Sequence, residues 1–185
     1  VLVAVVGVSQ LGTLSVYPMV ARRMNRRQLY TLGTALVIAG YAIFFFAEVS
    51  IVLIALGAVL VFVGQAFIQT LMLMFLADTV EYGQWKLGKR NESITFSIQP
   101  LINKIGGAIA TGVVSLTLIA AHVKVDGGTA EAIGSGDKLI IKAAMFVLPL
   151  ICIVAGYIIY MKKYKISEEY YAQILQDLQE RDENN

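Results

Sequence analysis

Long continuous apolar runs, separated by short polar segments, make up most of this chain. They occupy residues 1–20, 29–47, 50–77, 93–121 and 139–160. A membrane-spanning helix needs about 20 mostly apolar residues, because the hydrocarbon core is about 30 Å thick and a helix rises about 1.5 Å per residue. A transmembrane barrel would instead show alternating segments of about ten residues. The pattern therefore predicts an all-α integral membrane bundle of about five transmembrane helices within residues 1–161.

The composition narrows the class of protein further. Hydrophobic residues make up 57% of the 185 residues and charged residues 15%, and the mean hydropathy is +0.70. With a net charge of +2 and no basic stripe on a polar face, nothing indicates a nucleic-acid partner. The sequence has no metal-ligand spacing, nucleophile motif, phosphate-binding loop or catalytic carboxylate pair, so we expect neither an enzyme nor a cofactor.

The basic residues indicate how the helices are oriented. They cluster in three connections: Arg22, Arg23, Arg26 and Arg27; Lys86, Lys89 and Arg90; and Lys162, Lys163 and Lys165. Cytoplasmic loops of membrane proteins carry an excess of Lys and Arg. We therefore expect these three connections, and the C-terminus, on the cytoplasmic side of the cell membrane.

Residues 162–185 follow the last apolar run and have the pattern of an amphipathic cytoplasmic tail. Ser167 is suited to cap a helix, because its hydroxyl can accept a backbone N–H, and Glu168 and Glu169 suit the first turn. Three apolar side chains then share one side of that helix, namely Tyr171, Ile174 and Leu178. Such a helix lies either on the membrane surface or on the inner face of the protein.

The fourth run carries a lysine at mid-depth. Lys104 lies about 18 Å along the helix axis from Glu92, which places it near the centre of the bilayer. A charge there costs at least about 2.5–3.5 kcal/mol, so its side chain should face the protein interior or a wet cavity. Gln99 and Asn103 extend the polar side of this helix. In the third run, Gln69 either hydrogen-bonds to a neighbouring helix or lines a polar cavity.

None of the other apolar runs holds a carboxylate at a depth comparable to that of Lys104. Lys104 therefore faces water, or its acidic partner belongs to a segment outside this chain. The chain also opens with Val1 directly in an apolar run, with neither Met nor a charged leader. Both observations lead us to expect a fragment or a processed product of a larger membrane protein.

The segment after the third run carries a long motif. It reads Asp78-Thr79-Val80-Glu81-Tyr82-Gly83-Gln84-Trp85-Lys86-Leu87-Gly88-Lys89-Arg90. This resembles the D-x-x-[DE]-Y-G-[EQ]-[WY]-K-x-x-x-R signature of the glycoside–pentoside–hexuronide:cation symporters, a family within the major facilitator superfamily that includes the melibiose carrier. The resemblance continues through Gln99 and Lys104-Ile105-Gly106-Gly107, and the basic segment from Arg22 to Arg27 also matches the superfamily.

The resemblance implies a fold and a function. The five helices would correspond to the eighth to twelfth helices of a carrier that imports a sugar or glycoside with sodium or protons, by alternating access between two bundles. Lys104 and Gln99, with Asn103 beside them, match the central cavity, whereas Gln69 stands where the melibiose carrier has a Trp. The coupling-ion site would lie mainly in the amino-terminal helices, outside this chain. The implied partners are membrane lipid, the sugar or glycoside, and that amino-terminal bundle.

Charged and aromatic residues of the motif form a predicted gating network: Asp78, Glu81, Tyr82, Lys86 and Arg90. We expect them in the connection between the third and fourth helices, as ion pairs that break when two bundles rock. The alternative is a solvated loop whose charges only set the orientation. For the whole chain, the alternative function is that of a non-transporting multi-span subunit or scaffold. Lys104 argues against it, because a scaffold gains little from an unpaired intramembrane cation.

Overall fold

The computed structural model describes residues 23–47, 50–121, 135–164 and 166–183, together with isolated positions before residue 22. The described residues form α1 (Arg26–Phe46), α2 (Ile51–Leu87), α3 (Glu92–Ala120), α4 (Ser135–Lys142), a π-helical turn (Ala143–Val147), α5 (Leu148–Lys163) and α6 (Glu168–Glu183). These ranges contain no strand, which confirms the predicted all-α class.

Four helical stretches in the described part of the chain are long and apolar enough to cross a membrane. They are α1, α2, α3 and the continuous stretch Gly136–Lys163, which joins α4, the π-helical turn and α5. They correspond to the second to fifth predicted spans. The first predicted span, residues 1–20, lies mostly outside the described residues; of it, Tyr17 packs against Phe67 of α2 with ring centroids 5.8 Å apart.

The helix α2 is longer than the hydropathy pattern predicts. Its 37 residues continue to Leu87, so the expected end at Ala77 and the expected loop over the motif are wrong. Residues 78–87 contain no proline and the polar residues there are compatible with a helix, so nothing interrupts the backbone hydrogen bonds. Gly88 ends the helix, because it adopts the left-handed conformation with φ +67° that glycine tolerates best. At roughly 55 Å, α2 extends beyond the hydrocarbon core.

The last span also departs from a regular α-helix. The π-helical turn at Ala143–Val147 precedes Pro149, which lies at the start of α5. A proline has no backbone N–H, and its ring would clash with the carbonyl four residues earlier in an α-helix. The wider turn removes this conflict. It also carries Phe146, whose ring stacks on that of Phe44 with centroids 5.9 Å apart and so joins this span to α1.

Glycines let α1 and α2 pack closely in an antiparallel pair. Gly33 lies against Gly64, and Gly40 lies against Gly57. A methyl group on Gly64 would lie 2.5 Å from the carbonyl oxygen of Gly33, which is too short for any real contact. The two glycines on each helix are seven residues apart, so both lie on the same face. This repeated glycine spacing was not predicted from the sequence.

The helix α3 is little covered by the other described helices. None of its residues is buried in the described structure, and its contacts run to α2, α4 and the π-helical turn. An apolar groove of about 550 Å³ lies between α3 and α5, bordered by Val113, Thr117, Leu148 and Cys152 among others. At 100° per residue, Lys104 lies on the opposite side of α3 from Val113. The polar side of α3 therefore points away from α5.

The glycine contact predicts a specific loss of stability. Gly64→Ala should lower the free energy of unfolding by about 1–3 kcal/mol, because its methyl group must push α1 and α2 apart. Gly83→Ala on the same helix is the matched control, since no heavy atom outside its own helical turn lies within 4 Å of the added methyl. Equilibrium unfolding in mixed detergent and SDS micelles measures the difference. Equal destabilisation by both substitutions would contradict the close packing of α1 on α2.

Candidate functional site

A buried carboxylate lies where α1 begins and α2 approaches its end. Asp78 is 2% exposed, although it lies in the part of the chain that was expected to connect two helices. Burying an unpaired carboxylate costs several kcal/mol, so its neighbours must supply charge and hydrogen bonds. We call this region, where Asp78 meets the start of α1 and the end of α5, the charged end of the bundle.

Two donors satisfy Asp78. Its Oδ2 atom forms an ion pair with the guanidinium of Arg26, the first residue of α1. The same oxygen accepts a hydrogen bond from the Tyr164 hydroxyl at 3.0 Å, and Tyr164 is the residue that ends α5. Burial and the neighbouring Asp78 carboxylate raise the pKa of Tyr164 well above its ordinary value, so it remains a donor. One carboxylate thus ties three helices together.

Aromatic rings pack beside this cluster and hold α5 against α1 and α2. The ring centroid of Tyr160 lies 4.3 Å from that of Tyr30 and 5.0 Å from that of Phe75. Phe75 in turn lies 4.7 Å from Tyr164. Such pairs contribute about 0.5–1.5 kcal/mol each beyond the apolar area that they bury. This aromatic packing therefore helps to place the Tyr164 hydroxyl beside Asp78, independently of the charge on the carboxylate.

Glu81 is the second acidic residue of the motif. Burial, followed by the interaction with Glu81, raises the pKa of Tyr171 of α6 to about 12. The Oε2 atom of Glu81 is buried and has no hydrogen-bond partner in the described structure. One oxygen of the Glu81 carboxylate is therefore without a hydrogen-bond donor among the described residues.

The cations predicted for the gating network contact groups other than Asp78 and Glu81. Lys86 lies over the ring of Tyr82, with Nζ 5.6 Å from the ring centroid. Arg90 donates to Glu92 at 3.1 Å. Among the described residues the ion-pair partner of Asp78 is Arg26, which lies outside the predicted network, and the gating role of the network stays a prediction. Since α2 stays helical to Leu87, Lys86 and Tyr82 lie four residues apart on one face, and Arg90 lies beyond the helix end.

The tail forms the helix that the sequence predicts. The Ser167 hydroxyl accepts the backbone N–H of Tyr170 at 3.2 Å, and Glu168 and Glu169 occupy the first turn, as expected. Ile174 is 1% exposed, and α6 packs against α2. The sequence predicted that the apolar side of this helix lies either on the membrane surface or on the protein. In the structure it lies on the protein.

The predicted cavity residues lie mostly on the surface of the described structure. On α3, Lys104 and Asn103 are exposed and Gln99 is half-buried, while Gln69 is exposed on α2. Among the residues that the structure describes, no carboxylate pairs with Lys104. Their assignment to a sugar cavity stays a prediction.

Sequence reasoning found the two acids of this site and missed most of their partners. Arg26 was recognised only as part of a basic segment, and Tyr164 was not singled out. The sequence signal that could have identified Tyr164 is its place at the end of the last span, close to Tyr157 and Tyr160.

The fold and its apolar spans define a multi-pass membrane protein built as a helical bundle. The model of the family described as MFS/sugar transport protein matches residues 1–168. The chain belongs to this family. The resemblance to the glycoside–pentoside–hexuronide symporters, drawn from the motif at Asp78–Arg90, is thereby confirmed.

Several curated proteins are similar to this chain. A lactose permease of Lactobacillus delbrueckii subsp. bulgaricus is 35% identical over 165 residues, which are 89% of this chain and 26% of the permease. A raffinose carrier protein of Pediococcus pentosaceus is 33% identical over the same share of this chain and 26% of the carrier. A glucuronide carrier protein homolog of Escherichia coli is 29% identical over 83% of this chain and 35% of its own length. The chain thus spans about a quarter to a third of the relatives it matches.

The hydrogen bond to Asp78 predicts a measurable contribution from one hydroxyl group. Tyr164→Phe should lower the free energy of unfolding by about 1.5–3 kcal/mol, the usual range for a hydrogen bond to a charged group. Tyr170→Phe is the matched control, because no hydrogen bond to its hydroxyl is found in the described structure. The same micelle unfolding assay compares the two variants. Equal stability of Tyr164→Phe and wild type would contradict the role of this hydroxyl.

Proposed function

We propose that these helices form the carboxy-terminal bundle of a secondary transporter that imports a sugar or glycoside, coupled to sodium or protons, by alternating access. The observation that carries the proposal is the family match over residues 1–168, together with relatives named for lactose, raffinose and glucuronides. In such carriers two helical bundles rock around a central site near the bilayer midplane. The orientation with a cytoplasmic C-terminus belongs to the same proposal.

Lys104 supports a central polar site. It is an exposed cation in the middle of α3, a helix long and apolar enough to span a membrane. Exposure to lipid at that depth would be costly, so a water-filled cavity or a second bundle is the favoured environment. Its position opposite the apolar groove directs it away from α5. Asn103 and Gln99 add amide groups suited to the hydroxyls of a sugar.

The charged end supports a gate. The Arg26–Asp78 pair joins α1 and α2 within this one bundle, so it holds the charged end together while the two bundles move. Glu81 has one carboxylate oxygen without a partner among the described residues. It can accept a donor from the other bundle in one of the two states.

A non-transporting subunit or scaffold is the second candidate. The close packing of α1 on α2 would stabilise such a subunit equally well. The exposed Lys104 gives a scaffold no advantage, whereas the Arg26–Asp78 pair would stabilise either kind of protein. The names of the relatives also favour a carrier.

The proposal predicts uptake by the intact gene product. Cells expressing it should accumulate at least one member of a panel of radiolabelled glycosides, and adding sodium or lowering the external pH should raise that accumulation. Lys104→Leu should abolish accumulation with unchanged expression and membrane insertion, because the polar cavity loses its cation. Lys163→Leu, which removes an exposed cation at the end of α5, should leave accumulation intact.

Normal accumulation by Lys104→Leu would contradict the cavity assignment. No accumulation of any glycoside by the wild type, at normal expression, would contradict transport and favour the scaffold.

A further inference from the structure

A polar cavity of about 520 Å³ lies at the charged end, between the start of α1, the end of α5 and the start of α6. This volume is within the range of small-ligand sites in proteins. Charged and aromatic side chains of all three elements border it: Arg26, Arg27, Tyr160, Tyr164, Glu168 and Glu169. Asp78 already engages the guanidinium of Arg26 and the hydroxyl of Tyr164. The other charged groups on the border therefore decide what the cavity can bind.

Those groups are one cation and two acids. Arg27 is exposed, and its Nη2 donates to the backbone oxygen of Tyr164 at 3.1 Å, which leaves its other N–H groups without an acceptor among the described residues. Glu168 uses one oxygen to accept the backbone N–H of Arg26 at 2.9 Å. Glu169 has no partner in the described structure, and neither acid forms an ion pair with Arg27 there. Such a border suits a ligand that carries both signs of charge.

The opposite charges lie at different depths. Arg26 is the first residue of α1, and its backbone N–H points out of the start of that helix. Because Glu168 accepts this N–H, α6 begins beyond the end of α1. Arg27 instead contacts Tyr164, directly at the end of α5. Arg27 therefore lies at the edge of two helices that are long enough to span a membrane, and the carboxylates lie farther out, on the aqueous side.

A phospholipid headgroup can have the same order of charges. In phosphatidylethanolamine the phosphate lies at the membrane edge and a primary ammonium lies farther out. A guanidinium binds phosphate oxygens through several N–H donors, and an ammonium donates to carboxylates. Basic pockets between transmembrane helices bind phosphate-containing headgroups in this way. Ile158, Ile159 and Met161 are exposed on the last turns of α5 and are placed to contact acyl chains, which favours a lipid over a free headgroup.

We propose that this cavity binds a phospholipid whose headgroup carries a phosphate and a primary ammonium, such as phosphatidylethanolamine. The phosphate lies on Arg27, and the ammonium lies by Glu168 and Glu169. The site does not depend on transport, since it requires only that α1 and α5 span the membrane. Phosphatidylglycerol offers the phosphate without an ammonium, and the quaternary ammonium of phosphatidylcholine has no N–H to donate. Both should bind more weakly than phosphatidylethanolamine.

Native mass spectrometry of the intact gene product in detergent measures this preference. With one equivalent of each of the three lipids, the wild type should retain about five times more phosphatidylethanolamine than either of the others, a difference of about 1 kcal/mol. Arg27→Gln should remove most of this retention, because the phosphate loses its cation. Arg27→Lys keeps a cation and should stay within about twofold of the wild type. Lys89→Gln removes an exposed cation from the connection between α2 and α3 and should bind as the wild type does.

Glu169→Gln tests the ammonium half of the site. The described structure gives this exposed side chain no partner, so the fold should be unchanged, while the preference for phosphatidylethanolamine over phosphatidylglycerol should fall about threefold. Glu92→Gln, at an exposed acid of α3 outside the cavity, is the matched control and should keep the preference.

Three results would overturn the proposal. One is equal retention of the three lipids, or more phosphatidylglycerol than phosphatidylethanolamine, by the wild type. Another is an unchanged preference in Glu169→Gln, which would decide the matter even if Arg27→Gln failed to fold. The third is displacement of the bound lipid by an equal concentration of free phosphoethanolamine, because the acyl chains would then contribute nothing to binding.

Discussion

The carboxylate of Asp78 cannot lie buried among apolar helices at low cost unless cationic and hydroxyl donors reach it. Arg26 and Tyr164 are those donors, and each of them lies at the end of a different helix. The start of α1, the late part of α2 and the end of α5 must therefore meet at one point. The aromatic packing of Tyr160 on Tyr30 and Phe75, and the docking of α6 above Arg26, both depend on this meeting point.

The positions of the helices could be predicted from the sequence where the length of an apolar run alone determines them. The prediction failed at Ala77, where the loss of hydropathy was taken for the end of the helix, although a helix needs only unbroken backbone hydrogen bonds. Gly88 was the available stop signal, because it permits the left-handed cap. The π-helical turn before Pro149 was not predicted, since the way a proline is accommodated depends on neighbours such as Phe44.

The candidate site, like the fold, was predicted only in part from the sequence. The motif singled out Asp78 and Glu81, but their partners come from distant parts of the chain: Arg26 is 52 residues away from Asp78 and Tyr164 is 86. That pairing depends on the register of α1 on α2, which the contact of Gly33 with Gly64 sets. Charge alone favoured the nearer Lys86 and Arg90 equally well. Among the described residues no carboxylate pairs with Lys104, so its place in a sugar cavity stays a prediction.

A double-mutant cycle on Arg26 and Asp78 tests the central claim most directly. The free energies of unfolding of Arg26→Ala, Asp78→Ala and the double variant are compared with wild type in the same micelle system. The account predicts that each single substitution strands the other group, so the double variant loses about 1–3 kcal/mol less than the sum of the two. Additive losses within about 0.5 kcal/mol would contradict it.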